Sequence, residues 1–386
     1  MDASFRELLQ RYKNHTASPQ EQEKVEQALE AFEAINDYLS EQLEQLEEEP
    51  SLALSSQQDP LSDTALLRMV KRSIRTAFLK LGAGVLAVTL AVVLFLQFGL
   101  SPLMDRLFYN PAAPVGEFSD QMSLDMAVYT NLRLPLGKRD TVNSTSLGYG
   151  RYSLTMPVSH YFSSMQKPAT VAGELNRNRL TLFDVDALQK PAINLFAAYG
   201  GENSWVVDRE YARELLENLE EGVYYKAYLS FEEDITFPQY KAFEEQIGFS
   251  SWFGVRTSEG KYFENGHIGL CSTFSGSCIT GWDAQKYPWL LLCGDDPDSD
   301  FQDILSAEQD ESVMTTHLLS QLSYLADLQQ KTFLSFFGET SDTFANAYDY
   351  VKEHGISIYG CVFYGEKEQL LRLSEMENVY GIYAQR

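Results

Sequence analysis

The sequence predicts a multi-part fold: an all-α cytoplasmic helical module, one transmembrane helix and an α+β extracytoplasmic domain. Three observations predict it. Residues 81–100 form an uncharged, almost wholly apolar run of membrane-spanning length. Apolar residues ahead of this run recur at helical spacing, and those after it mix helical spacing with period-two alternation. The predicted parts are a module at 1–75 with a hinge at 50–63, a transmembrane helix at 76–101, a stalk at 102–120 and a domain at 121–386 that holds one or two subdomains.

The composition is that of a folded protein with a strong negative charge. Of 386 residues 44% are apolar and 22% are charged, which is ordinary for globular chains. Thirty basic residues stand against 55 acidic ones, so the formal net charge is −25. Because phosphate backbones repel a polyanion of this size, the composition excludes direct nucleic-acid binding by the whole chain.

The N-terminal module begins with two predicted helices. In the first, apolar residues recur at i, i+3, i+4 and i+7 on one face: Phe5, Leu8, Leu9 and Tyr12. The second helix has a complete start signal, with Ser18 as N-cap, Pro19 at the first helical position and Glu21 closing a Ser-x-x-Glu capping box. The sequence therefore predicts a short helix followed by a long one.

The long helix carries an apolar seam typical of a helix that packs on another helix. Its members follow 4-3-4-3 spacing: Val25, Leu29, Phe32, Asn36, Leu39, Leu43 and Leu46. A single Asn in such a seam favours a role in fixing register. Many Glu residues fill the other faces, either as a solvated surface or as a footprint for a basic protein. We predict that a partner protein contacts seven apolar anchors of the module: Leu8, Leu9, Tyr12, Val25, Leu29, Phe32 and Leu39.

The flanks of the apolar run predict the orientation of the membrane helix. Five basic residues without an intervening acid precede it: Arg68, Lys71, Arg72, Arg75 and Lys80. The flank that follows has only Arg106, offset by Asp105. By the positive-inside rule, the N-terminus lies in the cytoplasm and the C-terminus is extracellular. The predicted location is thus the cell membrane, crossed once.

Beyond the run, the sequence alternates between predicted strands and helices. Period-two segments rich in Val, Tyr, Leu and Thr predict strands at Met126–Leu134, Arg179–Phe183 and Val223–Phe231. Helical spacing predicts helices at Arg209–Leu219, Pro238–Gln246, Ser312–Thr332 and Asp342–Glu353. The C-terminal tail predicts a strand at Ile356–Tyr364, a helix at Glu366–Leu373 and a strand at Val379–Ala384. This order suggests a small open-faced α+β sandwich.

No pattern in the chain assembles a catalytic, metal or cofactor site. The five histidines are isolated in sequence, and no HExxH, GxSxG or phosphate-binding loop occurs. All four cysteines follow the membrane run: Cys271, Cys278, Cys293 and Cys361. Cys271 and Cys278 are the favoured disulfide pair, with free buried thiols as the alternative. The Asp296–Asp300 loop lacks the Gly and Glu of a calcium site, which favours a solvated acidic loop.

Three segments make the chain resemble the sigma-factor regulator family, the single-span anti-sigma factors of Gram-positive bacteria. The first is the opening FRELLQRYKNHTASPQEQEKVEQALEAFEAINDYLSEQL, which is similar to the family's cytoplasmic segment. The others are KAYLSFEEDITFPQYKAF at Lys226–Phe243 and YVKEHGISIYGCVFYGEKEQLLRL at Tyr350–Leu373, which are similar to the family's C-terminal domain. The resemblance covers most of the chain at low density and is weakest at 101–175 and 255–310.

The resemblance implies a non-enzymatic transcription regulator without a cofactor. Its module would hold an extracytoplasmic-function sigma factor at the membrane and release it in a stress response to an envelope signal. The implied partners are that sigma factor and the membrane. Three routes of release stay open: proteolysis, a second membrane protein and a simple conformational change. Two alternatives stay open: a membrane-tethered scaffold with a homodimeric cytoplasmic coiled coil, and a cell-envelope enzyme with an unrecognised site.

Overall fold

The computed structural model describes most of the chain beyond residue 62 and three positions ahead of it. The described residues are 25, 35, 38, 63–117, 119–135, 137–139, 141–160, 169–183, 190–192, 195–196, 209–248, 251–259, 263–272, 279–292 and 306–385. The chain divides into two compact units, Met1–Val85 and Leu86–Arg386.

A long helical stretch is the first continuous feature. Helix α1 spans Asp63–Leu94, a π-helical segment spans Phe95–Leu100, and α2 spans Ser101–Leu107. Pro102 lacks an N–H and therefore interrupts the α-helical hydrogen-bond ladder at this point, next to the π-helical segment. Residues Val70–Leu107 are long and apolar enough to cross a membrane, and the most apolar part is not covered by protein. This helix fits a single-pass membrane protein.

After α2 the chain forms a small hairpin and a buried helix. Strands β1 (Pro114–Val115) and β2 (Ser119–Asp120) pair antiparallel, and α3 follows at Gln121–Arg133. Asp120 caps α3 by accepting the Ser123 N–H at 2.8 Å. The sequence prediction of a strand at Met126–Leu134 is wrong. Because α3 is buried on nearly all sides, its buried positions include polar as well as apolar residues, and no apolar stripe marks it as an amphipathic helix.

An antiparallel sheet follows α3. It contains β3 (Gly137–Arg139), β4 (Asn143–Gly148), β5 (Arg151–His160), β6 (Ala169–Asn176) and β7 (Arg179–Phe183). Strands β3, β5, β6 and β7 lie in that order, and β4 also pairs with β5. Tyr152, Leu154 and Met156 alternate toward the buried face of β5. Arg177 and Asn178 have φ of +48° and +64°, as a two-residue hairpin between β6 and β7 requires.

The C-terminal sheet has the strand order β10-β9-β11-β8-β12. Its elements in chain order are α4 (Arg209–Glu217), β8 (Tyr224–Thr236), α5 (Phe237–Ile247), β9 (Trp252–Val255), β10 (Gly269–Cys271), α6 (Glu311–Ala326), a 3-10 turn (Leu328–Gln330), α7 (Lys331–Ser335), α8 (Ser341–His354), β11 (Ser357–Glu366), α9 (Lys367–Ser374) and β12 (Val379–Gln385). All its pairings are antiparallel. Two β-α-β units, β8-α5-β9 and β11-α9-β12, interleave as in ferredoxin-like folds.

The two faces of the C-terminal sheet bury different side chains. One face packs Leu229 and Phe231 of β8 against α5 and α9 in the main core. The other face carries a smaller, mainly aromatic cluster: Leu195, Phe196, Tyr228, Trp252, Phe263, Cys271, Tyr359 and Val362. A β-bulge at Tyr359 interrupts the pairing of β11 with both β8 and β9. The helices therefore lie on one side of the sheet and an aromatic layer on the other.

The predicted fold class needs correction. The region after the membrane helix contains three antiparallel sheets among its described residues and is β-rich. Most of the β3–β7 sheet is absent from the predicted strands. Strand β4, with the sequence NSTSLG, is polar and largely exposed and leaves no hydrophobic alternation, whereas the alternation of Tyr152, Leu154 and Met156 in β5 is a local signal that was overlooked. The predicted segment order of the tail, strand, helix, strand, is confirmed by β11, α9 and β12. The predicted helix at Ser312–Thr332 is broken at Asp327 into α6, a 3-10 turn and α7.

Candidate functional site

The predicted partner-binding residues fall almost entirely outside the described residues. Leu8, Leu9, Tyr12, Leu29, Phe32 and Leu39 are among those not described, so their role stays a prediction. Val25 is helical and fully buried. Ile35 and Tyr38 are helical and exposed by 58% and 61%. Val25 belongs to the predicted seam and Ile35 and Tyr38 lie off it, while the remaining seam positions are outside the described residues.

The basic residues ahead of the membrane run lie on α1. Lys71, Arg72, Arg75 and Lys80 are all exposed. The Thr76 hydroxyl donates to the Arg72 carbonyl at 2.7 Å, a bond within the helix. These four cations stand on the helix that continues into the apolar run, within ten residues of one another. They form a positively charged collar at one end of the membrane-length helix.

The segment immediately after the apolar run is docked to the β3–β7 sheet. The Ser101 hydroxyl accepts the Tyr149 N–H at 3.1 Å. The Asp105 carboxylate accepts the Gly150 N–H at 3.2 Å and the Tyr152 hydroxyl at 2.8 Å. Burial, together with the bond to Asp105, raises the pKa of Tyr152. Residues 101–107, part of the predicted stalk, are thus a helix held by the β4–β5 turn.

A second contact holds the chain just beyond α2. The Tyr109 N–H donates to the Asn178 side chain at 2.8 Å, at the β6–β7 turn. The Tyr109 ring packs edge-on against Phe336, with ring centroids 5.4 Å apart, and at a tilt against Phe333. Tyr109 therefore connects the end of the membrane-length helix to the β3–β7 sheet and to α7.

The Tyr109 hydroxyl reaches a buried carboxylate on α3. It donates to Asp125 Oδ2 at 2.6 Å, while the Tyr324 hydroxyl of α6 and the Gln121 amide donate to Oδ1 at 2.5 and 2.7 Å. Asp125 is fully buried. Burial raises the pKa of its carboxyl to about 6, although the hydrogen bonds from Tyr109, Tyr324 and Gln121 oppose the rise. The carboxyl group of Asp125 thus changes charge near neutral pH.

A buried ion pair closes the other end of α3. Arg133 donates to Glu339 at 2.9 Å and to the carbonyls of Asn265 and His267 at 2.7 and 3.0 Å. Its guanidinium also lies 4.9 Å from the centroid of the Phe344 ring. The Arg133 Nε is buried without a hydrogen-bond partner. Because removal of Glu339 would leave the buried Arg133 guanidinium without its counter-charge, this pair ties α3 to the start of α8.

A cavity of about 250 Å³ opens beside the Arg133–Glu339 pair. Its lining includes Arg133, Lys190, Glu264, Asn265, His267 and Glu339. Lys190 donates to the second oxygen of Glu339 at 2.7 Å. Two basic and two acidic side chains therefore line the cavity, and their formal charges cancel.

The remaining predicted candidates gain no chemical role. Cys271 and Cys361 are buried, and burial raises the pKa of the Cys361 thiol well above its usual range. Cys278, Cys293 and the Asp296–Asp300 loop lie outside the described residues, so the disulfide and calcium hypotheses stay untested. Among the described residues, no group of three or more His, Cys, Asp or Glu side chains is placed to hold a metal ion.

The structure adds residues that the sequence analysis did not single out. Asp125, Tyr109 and Tyr324 meet in one cluster, although Asp125 and Tyr324 are 199 positions apart. Asp125 stands between Leu124 and Met126, directly ahead of the predicted strand at Met126–Leu134. A carboxylate between apolar residues is a local signal, since such a group is rarely buried without partners. Its partners carried no sequence signal, because distance in the chain hides them.

The comparison with known families identifies the C-terminal region. Residues 216–383 match the family model described as sigma factor regulator C-terminal. No curated protein and no solved structure matches the chain. The matched range starts at the end of α4, covers β8, β9, β10 and β11 with their inserted helices, and ends within β12. By this match, residues 216–383 form a domain similar to the C-terminal domain of sigma factor regulators.

Proposed function

We propose that the chain is a membrane-anchored anti-sigma factor that sequesters an extracytoplasmic-function sigma factor and releases it in response to an envelope signal. The observation that carries the proposal is the sigma factor regulator C-terminal match on a chain that also has one membrane-length helix. The parts are those predicted from the sequence: a cytoplasmic module at 1–75, the membrane helix and an extracytoplasmic sensor at 121–386.

The orientation follows from the charge collar. Lys71, Arg72, Arg75 and Lys80 are exposed at the N-terminal end of the apolar run, and positive charge is retained on the cytoplasmic side of membranes. A phosphatase that folds only outside the cytoplasm, fused after Arg386, should therefore be active. Activity of a cytoplasmic reporter at the same site, with an inactive phosphatase, would reverse the orientation and refute the proposal.

The partner chemistry is supported by the acidic module. Residues 1–63 contain 15 acidic and four basic residues, and sigma factors present basic surfaces that bind polymerase and DNA. An apolar helix face with an acidic surround fits such a surface. Regulation by binding needs no catalytic group, so the proposed function is non-enzymatic. The sensor then supplies a conformational change and no reaction.

Substitutions on the long helix test the interface. Leu29→Asp and Phe32→Asp should release the sigma factor and raise transcription of its target genes, since a charge buried at a helix interface costs several kcal/mol. Ile35→Asp and Tyr38→Asp are matched controls on the exposed side of the same helix and should leave inhibition intact. Co-purification of the full chain with the sigma factor, together with a reporter of the target genes, measures both effects.

The results distinguish the proposed function from the two alternatives. If Leu29→Asp and Phe32→Asp release no sigma factor while the variant chains are present at normal levels, the module is a scaffold that dimerises through a coiled coil. If only the exposed pair releases the sigma factor, the anti-sigma function holds and the interface moves to the exposed face. An envelope enzyme would show no sigma factor in the purified full chain under any of these conditions.

A further inference from the structure

Two turns of the β3–β7 sheet lie beside the outer end of the membrane-length helix. The β4–β5 turn contacts Ser101 through Tyr149 and Asp105 through Gly150, and the β6–β7 turn contacts Tyr109 through Asn178. All of these residues belong to one compact unit. This end of the sheet is therefore fixed next to the point where the apolar run stops.

The helix geometry sets the depth of these contacts. The apolar run ends at Leu100, and an α-helix rises 1.5 Å per residue. Ser101 and Asp105 then lie about 2 and 7 Å beyond the hydrocarbon boundary along the axis. The head-group layer on each side of a bilayer is roughly 5–7 Å thick. The β4–β5 turn accordingly lies at the level of the lipid head groups.

The residues around the two turns are cationic and apolar. Arg106, Arg151, Arg177 and Arg179 are all exposed. Cross-strand pairing brings Arg151 opposite Asn176, and Asn176 opposite Arg179, on one face at the end of the sheet. Leu147, at the tip of the β4–β5 hairpin, is exposed by 49%.

The surrounding charge makes this concentration of arginine informative. Residues 101–386 contain 21 basic and 40 acidic residues, so the region is strongly anionic as a whole. Of the acids nearest the two turns, Asp105 is occupied by the Gly150 N–H and the Tyr152 hydroxyl. Glu174 lies further along β6, opposite Ser153, one pleat away from the turn. Positive charge is thus gathered at the membrane end of an acidic domain.

We propose that this end of the β3–β7 sheet binds anionic phospholipid head groups of the bilayer that the chain's own helix crosses. The inference rests on the membrane anchoring proposed above. Arginine guanidinium groups bind phosphate with paired hydrogen bonds, and an exposed Leu between cations inserts at the interface as amphipathic anchors do. Continuity with the membrane helix selects lipid over a soluble anion. The sensor domain would then respond to the charge of the membrane surface in addition to the envelope signal.

The test uses the full chain in lipid nanodiscs of two compositions, phosphatidylcholine alone and phosphatidylcholine with phosphatidylglycerol. Hydrogen exchange of segments 143–151 and 174–181 is followed by mass spectrometry. We expect exchange in both segments to slow at least fivefold in the anionic discs, since one arginine near an anionic surface contributes about that factor. Raising the salt to 0.5 M should remove most of the difference, because screening shortens the Debye length to about 4 Å.

A triple variant and a matched control isolate the surface. Arg151→Gln with Arg177→Gln and Arg179→Gln should exchange at the same rate in both lipids. Lys352→Gln with Lys367→Gln and Arg372→Gln removes the same charge from α8 and α9 and should keep the lipid dependence. Exchange across β11 at 357–366 should be unaltered in both variants, which shows that the fold is intact.

Each remaining outcome counts against the inference. Equal exchange of the wild-type chain in both lipids would overturn it and leave the anti-sigma proposal standing. If the control variant loses the dependence of exchange on lipid as the arginine variant does, the effect arises from the net charge of the chain and not from this surface. A soluble anionic polymer could also slow exchange in neutral discs as much as anionic lipid does. That result would show that the surface binds the polymer and would overturn the assignment to lipid. Failure of the chain to co-elute with neutral discs would refute the membrane anchoring itself.

Discussion

The buried carboxyl of Asp125 should make the stability of the C-terminal region fall as pH rises. In the folded chain, burial raises the pKa of this carboxyl from an ordinary value of 3.8 to about 6. A raised carboxyl pKa means that the folded state holds the proton more tightly than the unfolded state. The stabilisation is therefore fully present below the unfolded pKa, declines as pH rises and is lost above pH 6.

The size of the effect follows from the two pKa values. The full difference corresponds to about 3 kcal/mol, at roughly 1.4 kcal/mol for each tenfold change in proton affinity. Between pH 4 and pH 7.5 this linkage removes about 2 kcal/mol, because the unfolded group is already part-ionised at pH 4. Asp125→Asn keeps the shape and a neutral hydrogen-bonding group, so this component should disappear in the variant.

Urea unfolding of the full chain in detergent, followed by tryptophan fluorescence, measures the effect. All four tryptophans lie between residues 205 and 289, so the signal reports the C-terminal region. Asp349→Asn, at an exposed position of α8, is the control and should keep the wild-type pH dependence. If Asp125→Asn leaves the difference between pH 4 and pH 7.5 unchanged within about 0.5 kcal/mol, the assigned raised pKa is wrong.

Three further changes have defined outcomes. Glu339→Gln should destabilise the domain by about 3 kcal/mol or more in the same urea assay, because it leaves the buried Arg133 guanidinium without its counter-charge. A loss under about 1 kcal/mol would mean that water solvates the pair. Gly254→Ala should lower the free energy of unfolding by about 1–3 kcal/mol, since the added Cβ would lie 2.3 Å from the Tyr359 ring. An unchanged midpoint of urea unfolding would show that the ring moves freely. The Cys361 thiol should resist alkylation in the folded chain and react after unfolding, as peptide mapping would show. Rapid labelling of the native chain would contradict the burial of this thiol.

The sequence predicted those elements whose signal is local. The membrane-length helix follows from twenty uncharged residues, and β11 and β12 follow from short runs rich in Ile, Val, Tyr and Phe. The helix α3 was mistaken for a strand at Met126–Leu134, because burial on all sides removes the helical stripe. Strand β4 was missed for the opposite reason, since it buries too little to show alternation.

The candidate sites show the same division. The seven predicted anchors depend on helical periodicity, and Val25 alone among them lies in the described residues. The Asp125 cluster and the arginines beside the β4–β5 turn depend on contacts between distant positions, such as Tyr324 with Asp125. Periodicity carries no information on such contacts. They follow from the packing of α3 and α6 and the pairing of β5 with β6, which a single sequence does not specify.

The docking of α2 has a mechanical consequence for signalling. A flexible linker of 19 residues would let its ends separate by a root-mean-square distance of about 25 Å, and it would transmit no torque. Here Ser101 and Asp105 hydrogen-bond the helix to the β4–β5 turn, so the helix and the sheet must tilt and rotate together as one rigid body. One residue inserted between Leu100 and Ser101 would turn the domain by about 100° around the helix axis. An insertion of seven residues, close to two full turns, would restore the rotational phase at a displacement of about 10 Å, so the two insertions separate a rotary signal from a piston-like one.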